Sequence, residues 1–158
     1  MDKFSSFYRT QKEKLFGYLM RLTGNYQLST DIMQESFTRY LENYGPQTQN
    51  VSLLFAIARN AFWDNNHKKR HNYKIEENIE DTTDNPEKSV LVRESYRHVL
   101  SAIQTLDKDQ RDILSLTVSS NLSYREIANI MGISEGNVKV RVHRARIRLK
   151  KILKIGDD

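Results

Sequence analysis

The apolar positions of this chain recur at helical spacing from end to end. Over residues 4–23, Phe4, Phe7, Tyr8, Leu15, Leu19 and Leu22 share one face, and Gly24 marks the stop. A second helix is expected from near Ser29 to Tyr44, with Met33, Phe37, Tyr40, Leu41 and Tyr44 inward and Asp31, Gln34, Glu35, Thr38 and Glu42 on the other face. Gly45-Pro46 breaks that pattern. A third helix, Val51 to about Arg70, places Val51, Leu54, Phe55, Ala58 and Phe62 inward and Arg59, Asn60, Trp63, His67 and Arg70 outward. Residues 74–88 carry no apolar period and contain Pro86, which reads as a linker. From about Ser89 the period resumes with Val92, Tyr96, Val99, Ile103 and Leu106. Asp107 with Gln110 then caps a short helix that places Ile113, Leu114 and Val118 inward. With six Gly, two Pro and no β-branched alternation, the chain reads as all-α, built as two small helical domains.

The stretch Leu122–Leu153 is the most specific. Ser123 followed by Glu126 fits a capping box, and Ile127, Ala128 and Met131 form the apolar face of a helix that ends at Gly132. Ser134 caps the next helix, whose stripe is Val138, Val142, Ala145 and Leu149. Two helices joined by a three-residue turn form a helix-turn-helix. At about 3.6 residues per turn, Asn137, Arg141, Arg144 and Arg148 flank the stripe on one side. Lys139, His143, Arg146 and Lys150 flank it on the other. A solvated amphipathic helix has no need of two cationic flanks behind such a turn, so the pattern points to major-groove insertion with phosphate contacts alongside.

Charge sharpens the division. Residues 1–75 hold eleven Lys/Arg against six Asp/Glu, residues 76–90 hold one against six, and residues 91–158 hold thirteen against eight. Two basic bodies suited to a polyanion flank an acidic strap that such a ligand repels. The absence of cysteine excludes disulfides and thiolate metal sites. The longest apolar run, Val51 to Ala58, is far shorter than the roughly 20 residues of a membrane span, and Met1-Asp2-Lys3 opens no signal peptide. A soluble cytoplasmic protein without membrane insertion is expected.

Three further features could carry chemistry. The stretch Glu42–Ser52 is rich in side-chain amides, which present donors and acceptors together and can read the edge of an unstacked base; otherwise it is a polar loop. Trp63, beside Arg59 and the run His67-Lys68-Lys69-Arg70-His71, has the make-up of a stacking platform in a cationic groove. Packing of Trp63 against another helix is the plain alternative. Asp31 and Glu35 lie one turn apart but have no nearby His, and a docking face for a basic protein explains them better than a metal site.

These motifs together resemble the extracytoplasmic-function (ECF) subgroup of bacterial RNA polymerase sigma factors over nearly the full chain. SYREIANIMGISEGNVKVRVHRARIRL is similar to the family's fourth region, which binds the minus-35 promoter element and the β flap. Asp31-Ile32-Met33-Gln34-Glu35-Ser36-Phe37 resembles the second-region stretch that docks on the β′ clamp helices. Ile57-Ala58-Arg59-Asn60, followed by Asp64 and the basic run, resembles the helix of promoter melting. The resemblance implies a region-2-like domain over residues 1–73, an acidic linker over 74–88 and a region-4-like domain over 89–158. It implies minus-35 contacts from Ser134, Glu135, Asn137, Lys139, Val140, Arg141, Arg144 and Arg148. Minus-10 contacts would come from Asn43, Tyr44, Gln47, Gln49, Asn50, Arg59, Asn60, Trp63, His67, Lys68 and Arg70, and polymerase docking from Asp31, Gln34, Glu35 and Thr38. The implied partners are core RNA polymerase, promoter DNA and an anti-sigma factor, with no catalytic residue, cofactor or metal. Val140, turned away from the core, could meet a thymine methyl.

Two rival classes remain at this point. A polymerase-independent helix-turn-helix repressor or activator, with an N-terminal bundle that senses a ligand or dimerises, explains residues 89–154 but leaves the DIMQESF face and the amide loop idle. A metal-dependent nuclease would use Asp31, Glu35 and Asp64.

Overall fold

Helix signals at the ends of each apolar period account for the architecture. The computed structural model describes residues 2–64, 86–118 and 121–154. Among these residues there are seven helices and no strand: α1 Lys3–Thr23, α2 Tyr26–Tyr44, α3 Val51–Trp63, α4 Pro86–Gln104, α5 Lys108–Thr117, α6 Tyr124–Met131 and α7 Glu135–Leu153. The all-α, two-bundle architecture is the one the periodicity implies. The linker expected over 74–88 lies outside the described residues except at its end, where Pro86 already opens α4.

Most of these helices start on a side chain that accepts a backbone N–H. Asp2, Asn25, Asn50, Asp107, Ser123 and Ser134 serve α1, α2, α3, α5, α6 and α7, and each such cap contributes about 1 kcal/mol. Asn25 moves the start of α2 to Tyr26, three residues before the Ser29 expected from sequence, because its carboxamide accepts from Leu28 N–H at 2.8 Å. Ser29 is instead fully buried, with its hydroxyl 2.7 Å from that of Thr23. Helix α3 also differs from expectation, ending at Trp63 rather than near Arg70, with Asp64 as its C-cap.

In the first bundle α2 packs on α1 and α3, burying Phe7, Leu15, Leu19, Leu22, Ile32, Phe37, Tyr40, Leu54, Phe55, Ala58 and Phe62. Phe4, Tyr8, Met33 and Val51 pack against this core partly buried. Leu41 and Tyr44, expected inward, are 38% and 47% exposed. In the second bundle α7 packs on α5, α6 and α4 around Ile103, Ile113, Leu114, Ile127, Val138, Val142 and Ala145. Val99 and Val118, expected inward, are exposed; Leu100, Ala102 and Leu116 fill the core instead.

The two bundles do not stand apart. Helix α1 packs on α4 and α5, and α3 packs on α6, so that one cluster of buried side chains runs through both. This contact buries polar groups that sequence alone assigns to solvent, namely Gln11, Arg21, Asp112 and Ser115.

Candidate nucleic-acid interface

The helix-turn-helix is built as its sequence signals require. Ser123 Oγ accepts from Glu126 N–H and Glu126 Oε1 accepts from Ser123 N–H, both at 3.0 Å, which completes the capping box. Gly132 stops α6 at φ 69°, and the amides of Gly132 and Ile133 both reach the Ala128 carbonyl. Ser134 then caps α7 through Asn137 N–H at 3.1 Å, so its hydroxyl is committed to the helix end as well as lying on the exposed side. Burial of Val138, Val142 and Ala145 fixes the rotation of α7. Glu135, Asn137, Lys139, Val140, Arg144 and Arg148 are consequently exposed, and Arg141 is half-buried. Arg141 and Arg144 border a cleft of about 240 Å³ with Asp107, Asp109 and Gln110, so α5's first turn lies beside the recognition helix. Val140 is 46% exposed, an apolar side chain held in water on an otherwise polar face.

The amide loop is less free than its composition implies. The Tyr40 hydroxyl donates to the Thr48 carbonyl at 2.7 Å and accepts from Asn50 N–H at 2.9 Å. Its ring is stacked on Phe7 at 5.2 Å, so the tether is anchored in the first core. Asn43, Tyr44, Gln47, Gln49 and Asn50 are all exposed around it. Asn50 has a second task that sequence reasoning missed, since its side-chain oxygen caps α3 by accepting from Leu53 N–H at 3.1 Å. Gln49 Nε2 reaches the Lys3 carbonyl at 3.4 Å, a weak link to the start of α1.

On α2, Gln34 and Thr38 are exposed, and Asp31 and Glu35 are half-buried. Asp31 accepts from Gln27 Nε2 at 3.1 Å, and Glu35 pairs with Arg39 one turn on. Each acid is thus oriented by a neighbour on its own helix. No cluster of three or more His, Asp or Glu suited to a metal occurs among the described residues.

On α3, the structure separates the expected strand-contact residues. Asn60 is exposed, whereas Arg59 and Trp63 are covered by the second bundle. Arg59 Nε lies 2.7 Å from Asp112 Oδ2, an acid only 1% exposed. Asp112 Oδ1 accepts from the Tyr18 hydroxyl at 3.3 Å. Lys108 Nζ sits 4.6 Å from the centre of the Trp63 ring and the Arg111 guanidinium 5.4 Å from it. Trp63 is thus covered within the molecule, by two cationic side chains that reach over it from α5. His67, Lys68 and Arg70 lie outside the described residues.

Beside this cluster Arg21 threads from α1 into the second bundle. Its Nε donates to the Ser115 carbonyl at 3.0 Å, while its own carbonyl accepts from Gln104 Nε2 at 2.6 Å. Gln104 in turn accepts from Arg111 at 3.2 Å. Gly17 leaves room beside this side chain, since a Cβ there would stand 3.0 Å from Arg21 Nη1. Burial pushes the Arg21 guanidinium down to about 10 and lowers that of Arg111 as well. Burial likewise raises the Asp112 carboxyl above its ordinary range, against the opposing pull of Arg59 and the hydrogen bonds of Arg59, Tyr18 and Trp63. Tyr18, fully buried beside that acid, is held well above 10. Of these groups only Arg59 and Trp63 were singled out from sequence. A trace of Asp112 was visible all the same: it directly precedes Ile113-Leu114 and lies one turn from Leu116, where an unpaired acid has no place in a core.

A capped helix-turn-helix with a cationic recognition helix, carried on an all-α body, defines a DNA-binding transcription protein. Known proteins narrow this. The family described as Sigma-70, region 4 matches residues 96–149. The ECF RNA polymerase sigma factor EcfG of Rhodopseudomonas palustris (strain TIE-1) is 30% identical over 142 residues, covering 88% of this chain and 78% of that protein. The ECF RNA polymerase sigma factor SigM of Bacillus subtilis (strain 168) is 30% identical over 156 residues, covering 94% of each. The chain belongs to the ECF RNA polymerase sigma factors and is a transcription initiation factor. In fold it is similar to the sigma factor RpoE of Bartonella quintana in its complex with the anti-sigma factor NepR, with a TM-score of 0.75 and 22% identity over 98% of both chains. It is also similar to CnrH in complex with the cytosolic domain of CnrY, with a TM-score of 0.69 over 98% of this chain and 89% of that one.

Proposed function

We propose that α7 reads the minus-35 element, with Asn137 and Val140 facing bases and Lys139, Arg141, Arg144 and Arg148 facing phosphates, Ser134 and Glu135 standing at the groove entrance. The observation that carries this is the rotation of α7, fixed by Val138, Val142 and Ala145, which leaves those side chains outward together. In the same reading the tethered loop from Asn43 to Asn50 takes a flipped minus-10 base, and Arg59, Asn60, Trp63 and the basic run beyond it take the melted strand. Asp31, Gln34, Glu35 and Thr38 dock on the β′ clamp helices, and the second bundle takes the β flap. The assignments divide the chain into residues 1–73 for docking and melting, an acidic linker over 74–88, and residues 89–158 for minus-35 reading.

Binding energy spread over two promoter elements offsets an unstacking cost of a few kcal/mol, so this role calls for no catalytic residue. The protein acts in the cytoplasm, where polymerase and promoter are; no described helix is long and apolar enough to cross a membrane. An anti-sigma factor is a further partner, supported by the two structural neighbours, which are both held by such inhibitors. Run-off transcription with core polymerase on promoter fragments tests the whole reading. Transcripts that depend on both elements are expected. A tight, dimeric footprint on duplex DNA without polymerase, and no transcript with it, would favour the autonomous regulator instead.

A further inference from the structure

Two glycines stand inside the described helices, and only one of them is explained by its neighbours. Gly17 leaves space for a guanidinium, whereas Gly136, the second residue of α7, leaves space for nothing in its own molecule. A Cβ at Gly136 would meet only Ser134 Oγ, at 3.9 Å, which is ordinary contact. Its backbone has no need of glycine either, because the described glycines at positive φ are Gly24, Gly45 and Gly132. Alanine at such a position raises the folded-to-unfolded ratio by roughly two- to fivefold, so the missing side chain works against the helix.

The rotation of α7 decides what this bare position faces. Gly136 and Val140 lie one turn apart, about 6 Å along the axis and about 40° around it, and they centre on the line opposite the buried Val138. Together they make a shallow apolar notch. The uncovered backbone of Gly136 is its floor, and the Val140 isopropyl group, 46% exposed, is its wall. Asn137 and Lys139, both exposed, stand on either side. The room left by an absent Cβ is that of one methyl group.

We propose that Gly136 and Val140 seat the C5-methyl group of one thymine in the minus-35 element, with Gly136 as the point where α7 comes closest to the bases. Thymine alone of the four bases carries a methyl in the major groove, and an apolar contact is what distinguishes it there. Alanine at Gly136 would put a protein methyl where the base methyl has to lie. Helix stability is thus given up for a choice of base. This rests on the reading in which α7 enters the minus-35 groove, and the experiment separates the two claims.

Holoenzyme formed from core polymerase and the full chain is titrated with a promoter duplex that it transcribes. Each minus-35 thymine, on either strand, is replaced in turn by deoxyuridine, which lacks only the methyl. At one position thymine should be preferred by about fourfold, the effect of burying one such carbon. Val140→Ala should bring that preference close to unity. Gly136→Ala should weaken binding of the thymine duplex, leave the deoxyuridine duplex nearly as it was, and raise the Tm of the free chain. A more stable protein that has lost its preference for a methyl is an outcome that damage to the fold cannot produce. If no deoxyuridine duplex differs from the parent, or if Gly136→Ala keeps the preference, the methyl seat is refuted. Weaker binding by Arg144→Ala in either of those cases leaves α7 as the reader and removes the seat alone. Binding unchanged in Arg144→Ala, Gly136→Ala and Val140→Ala alike would remove α7 from the groove, and the seat with it.

Discussion

Replacing Tyr40 with Phe isolates the tether of the amide loop. The ring is fully buried and stacked on Phe7, and Phe keeps that packing, so only the hydroxyl is lost. Two hydrogen bonds go with it, to the Thr48 carbonyl at 2.7 Å and from Asn50 N–H at 2.9 Å. At about 1 kcal/mol net for each bond, and with water able to reach the exposed Asn50 backbone, the loss should be about 1–2 kcal/mol. For a chain of this size that lowers Tm by roughly 3–6 °C. The effect should be local in origin, because Asn50 also caps α3 and its amide is fixed by the bond that disappears. Hydrogen exchange at Asn50 should therefore quicken more than at Leu54 in the fully buried interior of α3. A loop released in this way presents Gln47, Gln49 and Asn50 in many orientations, so affinity of the holoenzyme for a minus-10 strand should fall by up to about tenfold, equivalent to ~1.4 kcal/mol. Denaturant titration, exchange and strand binding would be measured on the same preparation. Unchanged exchange at Asn50 with unchanged strand affinity would refute the claim that Tyr40 presents the loop.

Arg144→Ala should reduce the salt dependence of minus-35 binding by about one counterion, and an unaltered slope in a salt titration would exclude a phosphate contact. Glu35→Ala removes a partner of the surface pair with Arg39, which is worth about 0.3–0.5 kcal/mol, so fold stability should hardly move while affinity for core polymerase drops; wild-type core affinity would detach Glu35 from the docking face. Packing of the bundles should respond to acid through Asp112. Because its carboxyl is raised in the packed state, that state binds the proton more tightly than the open one. Packing should accordingly strengthen as pH falls from the raised value towards the ordinary 3.8, and level off below it. Arg21 and Arg111 stay charged and Tyr18 neutral over that window, so in Asp112→Asn the packing, read by hydrogen exchange at Ser115 and Leu116, should lose the dependence.

The second half of the chain was the more legible because its signals are local. A capping box, a glycine at positive φ and a second serine cap each act within one turn of α6 or α7, and the residues that carry them are adjacent in sequence. The exposed set on α7 follows from the period of three buried residues. By contrast Arg21, Asp112 and Ser115 are polar residues whose burial is caused by a distant part of the chain, and no period within α1 or α5 announces it. Leu41 and Tyr44 fail in the opposite sense. They continue the apolar period of α2, and the period alone does not say how far a neighbour covers that face. The start of α2 is set by the cap at Asn25, four residues before the Ser29 near which the apolar period places it, and a cap acts on the backbone without entering that period. At Arg59 and Trp63 residue type indicated a cationic groove, and only the fold reveals that the groove is filled from within.

Gly17 sets local and distant demands against each other. In the middle of a long helix a glycine gives up about 1 kcal/mol relative to alanine. Alanine would firm up α1 yet press on the guanidinium that reaches Ser115, and that side chain would have to yield. A stiffer first helix would thus come with a looser hold on its neighbour, so selection for a firm α1 and selection for its grip on the second bundle should pull this one position in different directions.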